Sequence, residues 1–164
     1  MLPPVPDEPV RPPPVAIAGE VALRIGVREG VELDARLAVP EGARRVVVVA
    51  HPHPLYGGTM HNAVVVAIVK AAAARGMATL RFDFRGVGAS SGQFDDTVGE
   101  TDDVAAALAE AARRVPRARL ALAGYSFGSA CALRVVLGLS SIAHPMPARV
   151  ALVAPSPRLF RLET

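Results

Sequence analysis

The sequence predicts an α/β domain: an open, mostly parallel sheet with flanking helices and an antiparallel hairpin at its N-terminal end. Three observations carry that expectation. Residues 21–39 alternate apolar and polar side chains with period two; residues 46–50 are a continuous Val-Val-Val-Val-Ala run; and beyond them strand-like apolar runs alternate with Ala-rich helical ones.

Residues 1–14 hold seven of the fifteen prolines. Proline fixes φ and removes an amide donor, so residues 1–16 are expected as an extended, disordered tail ahead of one domain over residues 17–164. Val21 to Arg28 and Glu32 to Val39 carry the alternation, with Gly30 between them, and read as a hairpin. The run from Arg45 is β-branched throughout, as a strand covered on both faces requires, and a helix should follow over His61 to Arg75, closed by Gly76.

Met77 to Phe82 is the next strand, followed by a long polar loop. Thr97 and Glu100 then form a capping box that starts a second helix. It carries Val104, Leu108, Ala111 and Val115 on one face, Asp102 and Asp103 near its positive end, Arg113 and Arg114 near its negative end, and stops at Pro116. Arg119 to Ala123, Phe127 to Leu139 and Arg149 to Ala154 complete the pattern as strand, helix and strand.

Composition excludes several functions. The 164 residues are 51% hydrophobic and 20% charged, enough to bury one core. The longest apolar stretch, Ala63 to Val69, is far short of the roughly 18 residues a membrane span needs, and the N-terminus lacks the basic-then-apolar pattern of a secretory signal. A cytoplasmic protein without a membrane partner is expected. The net charge is only +3, seventeen of eighteen basic residues are scattered arginines, and aromatics are 4% with no Trp, so no nucleic-acid partner is expected. The single Cys131 lies in a helical apolar segment and reads as a packing group. No metal and no cofactor are expected.

The chemistry is carried by Gly124-Tyr125-Ser126-Phe127-Gly128, which matches G-x-S-x-G where an apolar strand gives way to an Ala-rich helix. A serine at such a turn is held in a strained conformation that lifts its hydroxyl clear of the sheet, provided its neighbours are small. The helix that follows aims its first amides at an oxygen that becomes negative during attack, which makes the Phe127 amide a natural oxyanion donor. The same string at Gly88-Ala89-Ser90-Ser91-Gly92 lacks the strand before it and the helix after it.

Residues 51–62, His-Pro-His-Pro-Leu-Tyr-Gly-Gly-Thr-Met-His-Asn, follow the first parallel strand and so share the crevice edge with the serine turn. A second oxyanion amide is expected from this loop. Pro52 and Pro54 have none, which leaves His53 or Leu55, with His53 preferred; the imidazoles themselves are read as turn and cap residues. Residues 81–96 leave the second parallel strand; Arg85 there could pair with Asp83 or another carboxylate, and the glycines do not match a phosphate cradle.

Together these three stretches resemble the α/β-hydrolase superfamily, in particular small bacterial hydrolases with HPHP-type, FRGVG-type and GYSFG-type motifs, similar to the serine aminopeptidase and X-Pro dipeptidyl-peptidase branches. The resemblance covers roughly residues 20–155 and implies the α/β-hydrolase fold, Ser126 as nucleophile, and an oxyanion hole built from Phe127 and the His51 to Tyr56 loop. Asp83 stands where relatives often have Asn. The resemblance also implies two further strands bearing the acid and histidine of a triad, so the domain is expected to be C-terminally incomplete, truncated after its sixth strand. After Ser126 come only Glu163 and His144, and His144 is expected on the opposite sheet edge. A substitute base among His51, His53 and His61, oriented by Asp83, Asp95 or Asp96, is the minor alternative.

The sequence thus points to a serine hydrolase cleaving a small-molecule ester or amide through an acyl-serine intermediate, impaired as this chain stands. A non-catalytic remnant or binding module is the competing reading. The sixth strand, left at the sheet edge with its Val150 to Val153 run, is expected to promote self-association.

Overall fold

The alternating pattern folds into one six-stranded sheet. The computed structural model describes residues 4, 5, 7–28 and 30–155; Pro3, Pro6 and Glu163 lie outside them. The strands are β1 Val21–Gly26, β2 Glu32–Ala38, β3 Arg45–Ala50, β4 Ala78–Phe82, β5 Arg119–Tyr125 and β6 Arg149–Val153, ordered β1-β2-β4-β3-β5-β6. β1 pairs antiparallel with β2, and β2 antiparallel with β4. β4, β3, β5 and β6 are parallel neighbours. The expected mixed, mostly parallel α/β sheet is thus present.

The valine run forms β3, near the middle of the sheet, with both faces covered. Val46, Val48 and Ala50 enter the larger core with Leu80, Phe82 and residues of the helices α2 (Val98–Arg114) and α3 (Phe127–Val136). Val47 and Val49 enter a smaller core on the other face with Val65 and Val69 of α1 (Ala63–Ala73). Cys131 is fully buried, and burial holds its thiol well above the usual range, as a packing group requires. Among the described residues, no helix is long and apolar enough to cross a membrane.

Three helix boundaries differ from expectation: α1 ends at Ala73 instead of Arg75, where the Arg75 and Gly76 amides turn back onto the Ala72 and Ala73 carbonyls, and two others shift for local hydrogen-bonding reasons. α1 begins at Ala63 instead of His61, because the Asn62 side chain accepts from the Val64 amide at 2.9 Å and so caps the helix there. α3 ends at Val136 instead of Leu139: Gly138 takes φ +74°, and the amides of Gly138 and Leu139 turn back onto the carbonyls of Val135 and Arg134. The loop after β4 is less polar than its composition, since Phe84 and Val87 are buried in the main core. Arg85 pairs with Asp103, not with Asp83: its guanidinium lies 2.7–3.2 Å from the carboxylate, which ties this loop to α2.

The described part of the proline-rich segment contains no helix or strand, yet it is held against the domain through Arg81. Arg81 is a fully buried cation on β4. Its Nε and Nη2 donate to the Glu20 carboxylate at 2.8 and 2.6 Å, Nη2 also to the Val15 carbonyl at 2.6 Å, and Nη1 to the Met60 carbonyl at 2.9 Å. A fifth contact, 3.4 Å, reaches His61 Nδ1. The five donors of a guanidinium therefore all have partners, the condition under which a buried charge is tolerated.

Arg81→Ala strands the buried Glu20 carboxylate and should lower unfolding free energy by about 3–5 kcal/mol, and adding Glu20→Gln should restore part of it. Urea denaturation of the single and double variants checks this.

Candidate active site

Glycines at both ends of the serine turn permit the close crossing of strand and helix on which the site depends. A Cβ on Gly124 would collide with the backbone of Gly128 and Ser129, and one on Gly128 with the carbonyls of Ala50 and His51. β5 therefore passes into α3 at backbone contact, and α3 starts at backbone contact with the end of β3. Ser126, between them, has φ +51° and ψ −111°. For a non-glycine residue that conformation costs on the order of 1–3 kcal/mol and persists only where its surroundings enforce it.

The enforcing contacts come from β6 and the helix. The Ser126 amide donates to the Val153 carbonyl at 2.9 Å, while Ser129 Oγ lies 2.6 Å from the Gly124 carbonyl and 3.0 Å from that of Val153. Ser126 itself is half-buried at the sheet edge. The amide of Phe127 belongs to the first residue of α3, where a helix leaves its N–H groups without intrahelical partners. The other G-x-S-x-G string is structural: Ser90 Oγ accepts from the Asp34 amide at 2.9 Å and donates to the Asp83 carbonyl at 2.7 Å.

Residues 51–62 leave β3 beside this turn. Pro54–Tyr56 form one turn of 3₁₀ helix, with Tyr56 and Gly58 amides donating to the His53 carbonyl at 3.1 and 3.0 Å. The His53 ring packs on Phe127, Tyr56 and Phe94, with centroids 4.8, 4.8 and 5.2 Å away. Of the two expected oxyanion donors, the Leu55 amide is engaged by His53 Nδ1 at 3.2 Å. Burial holds the His53 imidazole below its ordinary pKa, against a small opposing pull from Asp96.

His51 is fully buried with both ring nitrogens occupied. Nδ1–H donates to the Pro52 carbonyl at 2.6 Å, and Nε2 accepts the Phe84 amide at 3.0 Å. Those partners define the neutral tautomer, and burial depresses its pKa to about 3. The Pro52 carbonyl belongs to the same peptide group as the His53 N–H, so the His51 ring orients the expected oxyanion amide. Sequence reasoning read His51 as a turn residue and missed this part, which depends on Phe84, 33 positions away.

Asp83 follows β4, with Oδ1 accepting from the Met60 amide at 2.7 Å and 3.9 Å from His51 Nε2. Burial raises its carboxyl from 3.8 to about 6. His61 is turned away from this group: its Nδ1 accepts from the Val15 amide at 2.9 Å. His144 lies between α3 and β6, in the segment whose Ala148 amide donates to Leu120 near the start of β5, and so on the sheet edge opposite Ser126. These contacts occupy His51 Nε2 and His61 Nδ1, the ring nitrogens that accept hydrogen bonds here. Among the described residues, no group of three His, Cys, Asp or Glu side chains could hold a metal ion.

His51 and Asp83 make opposite contributions to the pH dependence of folding. Between pH 6.5 and about 3 the unfolded chain protonates a histidine that the folded chain keeps neutral, so this contribution to stability falls as pH falls. Between about pH 6 and 3.8 the folded chain keeps a proton on Asp83 that the unfolded chain has released, so this contribution rises as pH falls. Asp83→Asn removes the second effect alone. Between about pH 6 and 4 its stability should drop relative to wild type by about 1.4 kcal/mol per pH unit. Denaturant midpoints at the two pH values test this, and parallel pH slopes in the two proteins would contradict it.

Residues 41–160 match the family model described as serine aminopeptidase, S33. An uncharacterised Rickettsia prowazekii protein, RP471, is 43% identical over 100 residues, 60% of this chain and 42% of that protein. A solved structure from Agrobacterium tumefaciens superposes with a TM-score of 0.75 at 30% identity, covering 88% of this chain and 63% of that one. An α/β serine hydrolase homologue from Coxiella burnetii gives 0.73 at 32% identity, covering 90% and 69%. The chain thus spans less than half of the Rickettsia relative and under two thirds of the Agrobacterium one. With its sheet order, its strained serine turn and this match over most of its length, the chain belongs to the serine aminopeptidase S33 family of the α/β-hydrolase superfamily.

Proposed function

We propose that Ser126 is the nucleophile of a hydrolase that cleaves a small ester or amide through an acyl-serine intermediate. The observation that carries this reading is the backbone of Ser126, φ +51° and ψ −111°, on a half-buried residue that opens α3. Strain of that kind at a crevice edge is a feature of functional positions. Attack forms the Oγ–carbon bond, moves the hydroxyl proton to a base, and places negative charge on the carbonyl oxygen. The amides of Phe127 and His53 would hold that oxygen. Collapse expels the alcohol or amine with a proton, and water then releases the acid by the same steps.

Turnover by this chain is read as impaired. His51 has both nitrogens in use, His53 Nδ1 and His61 Nδ1 accept from the Leu55 and Val15 amides, and His144 is on the far edge of the sheet. With no positioned base among the described residues, the rate is expected to fall by about 10⁴–10⁶ relative to a complete triad. Activated phosphonates remain the more sensitive probe of the serine.

The outer edge of β6 is the second element of the proposal. Val150 and Leu152 are 41% and 37% exposed there, and an apolar edge strand recruits another strand, here from a second copy. Size-exclusion chromatography should show a concentration-dependent dimer that Leu152→Lys converts to monomer. A wild-type monomer at all concentrations would exclude it.

A fluorophosphonate probe should label the folded protein at Ser126 and fail to label Ser126→Ala. Absence of labelling on folded wild-type protein would favour a non-catalytic binding module, and labelling that survives in Ser126→Ala would place the reactive group elsewhere.

A further inference from the structure

We infer that residues 10–20 are a clamp that holds the His53-bearing loop in its oxyanion-binding shape, with Arg11 as its positioning residue. The inference rests on the reading of the His53 amide given above and goes beyond it, because the expected oxyanion hole uses only residues of the loop and the serine turn.

The clamp grips the loop at two places. Near the chain start, the Val10 carbonyl oxygen sits so close over Gly57 that a Cβ there would collide with it, and Gly57 has φ +81°, which favours glycine. The next residue, Arg11, donates from Nη1 to the Gly58 carbonyl at 2.9 Å. Farther along, the Val15 amide donates to His61 Nδ1 at 2.9 Å, and the Val15 carbonyl and Glu20 carboxylate bind Arg81, which in turn donates to the Met60 carbonyl. Residues 57–58 and 60–61 are therefore both tied to the N-terminal segment.

Gly58 transmits this grip to the peptide that matters. Its amide donates to the His53 carbonyl at 3.0 Å, and its Cα lies against both the Pro52 and His53 carbonyls, leaving no room for a side chain. The Pro52 carbonyl and the His53 N–H are two ends of one planar peptide. His51 Nδ1 fixes that plane from inside the domain at 2.6 Å, and Gly58, held by Arg11, backs it from outside. A preorganised donor stabilises a developing oxyanion because it needs no reorientation during reaction, so loosening Gly58 weakens the hole without removing any group from it. Arg11 is exposed, and its replacement leaves both cores intact.

Arg11→Ala and Arg11→Lys, made in the full chain, test the clamp through two readouts. Amide hydrogen exchange of Tyr56 and Gly58, both donors to the His53 carbonyl, should accelerate roughly tenfold in Arg11→Ala, with β3 and β5 amides unchanged. The maximal rate of fluorophosphonate labelling at Ser126 should fall by roughly tenfold at an unchanged half-saturating probe concentration, and Arg11→Lys, which keeps a donor, should recover most of it. Unchanged exchange in Arg11→Ala overturns the clamp, as does faster exchange with an unchanged labelling rate. If wild-type protein takes no label, the reading of Ser126 fails, and the exchange rates, which need no reactive serine, decide the clamp alone.

Discussion

Backbone-to-backbone contact at Gly128 is the constraint on which the rest depends. With no side chain at that position, α3 can start against the last carbonyls of β3, and this single closeness joins the serine turn to the loop that follows β3. Any Cβ would push the helix away from the strand. The strain at Ser126 and the seat of the Phe127 ring on His53 both follow from it. Hydrophobic burial then holds the arrangement: the β3 valines are covered on both faces, so the strand that anchors the loop has little freedom to adjust.

A second layer of order is ionic and lies on the α1 side. Arg81 replaces an apolar residue at the end of a buried strand and gathers Glu20, Val15 and Met60 around one cation. A charge in that position is tolerated only with its donors paired, so Val15 and Glu20 are drawn onto the sheet around it. His51 and Asp83 form a parallel case: burial keeps the imidazole uncharged and raises the carboxyl to about 6, and both side chains fix backbone amides at the ends of β3 and β4.

Local pattern made much of this legible. Period-two alternation marked the hairpin, the valine run marked a doubly covered strand, and Gly124 and Gly128 around a serine marked the strained turn, because each signal lies within a few consecutive residues. Illegible were the pairings across the chain. Arg81 read as one more residue of an apolar strand, since its partners Glu20 and Val15 are more than sixty positions earlier. Nothing in the string announces the contact of Ser129 with Val153. His51 read as a turn former because its acceptor role appears only when β3 and β4 end side by side, bringing Phe84 to it.

The bond from the Ser126 amide to the Val153 carbonyl makes β6, the last strand of the described sheet, a component of the serine turn. Any shift of that strand would therefore be felt first at the strained Ser126 backbone, through a single N–H···O contact, and would reach the hydroxyl only by way of the serine's own torsions.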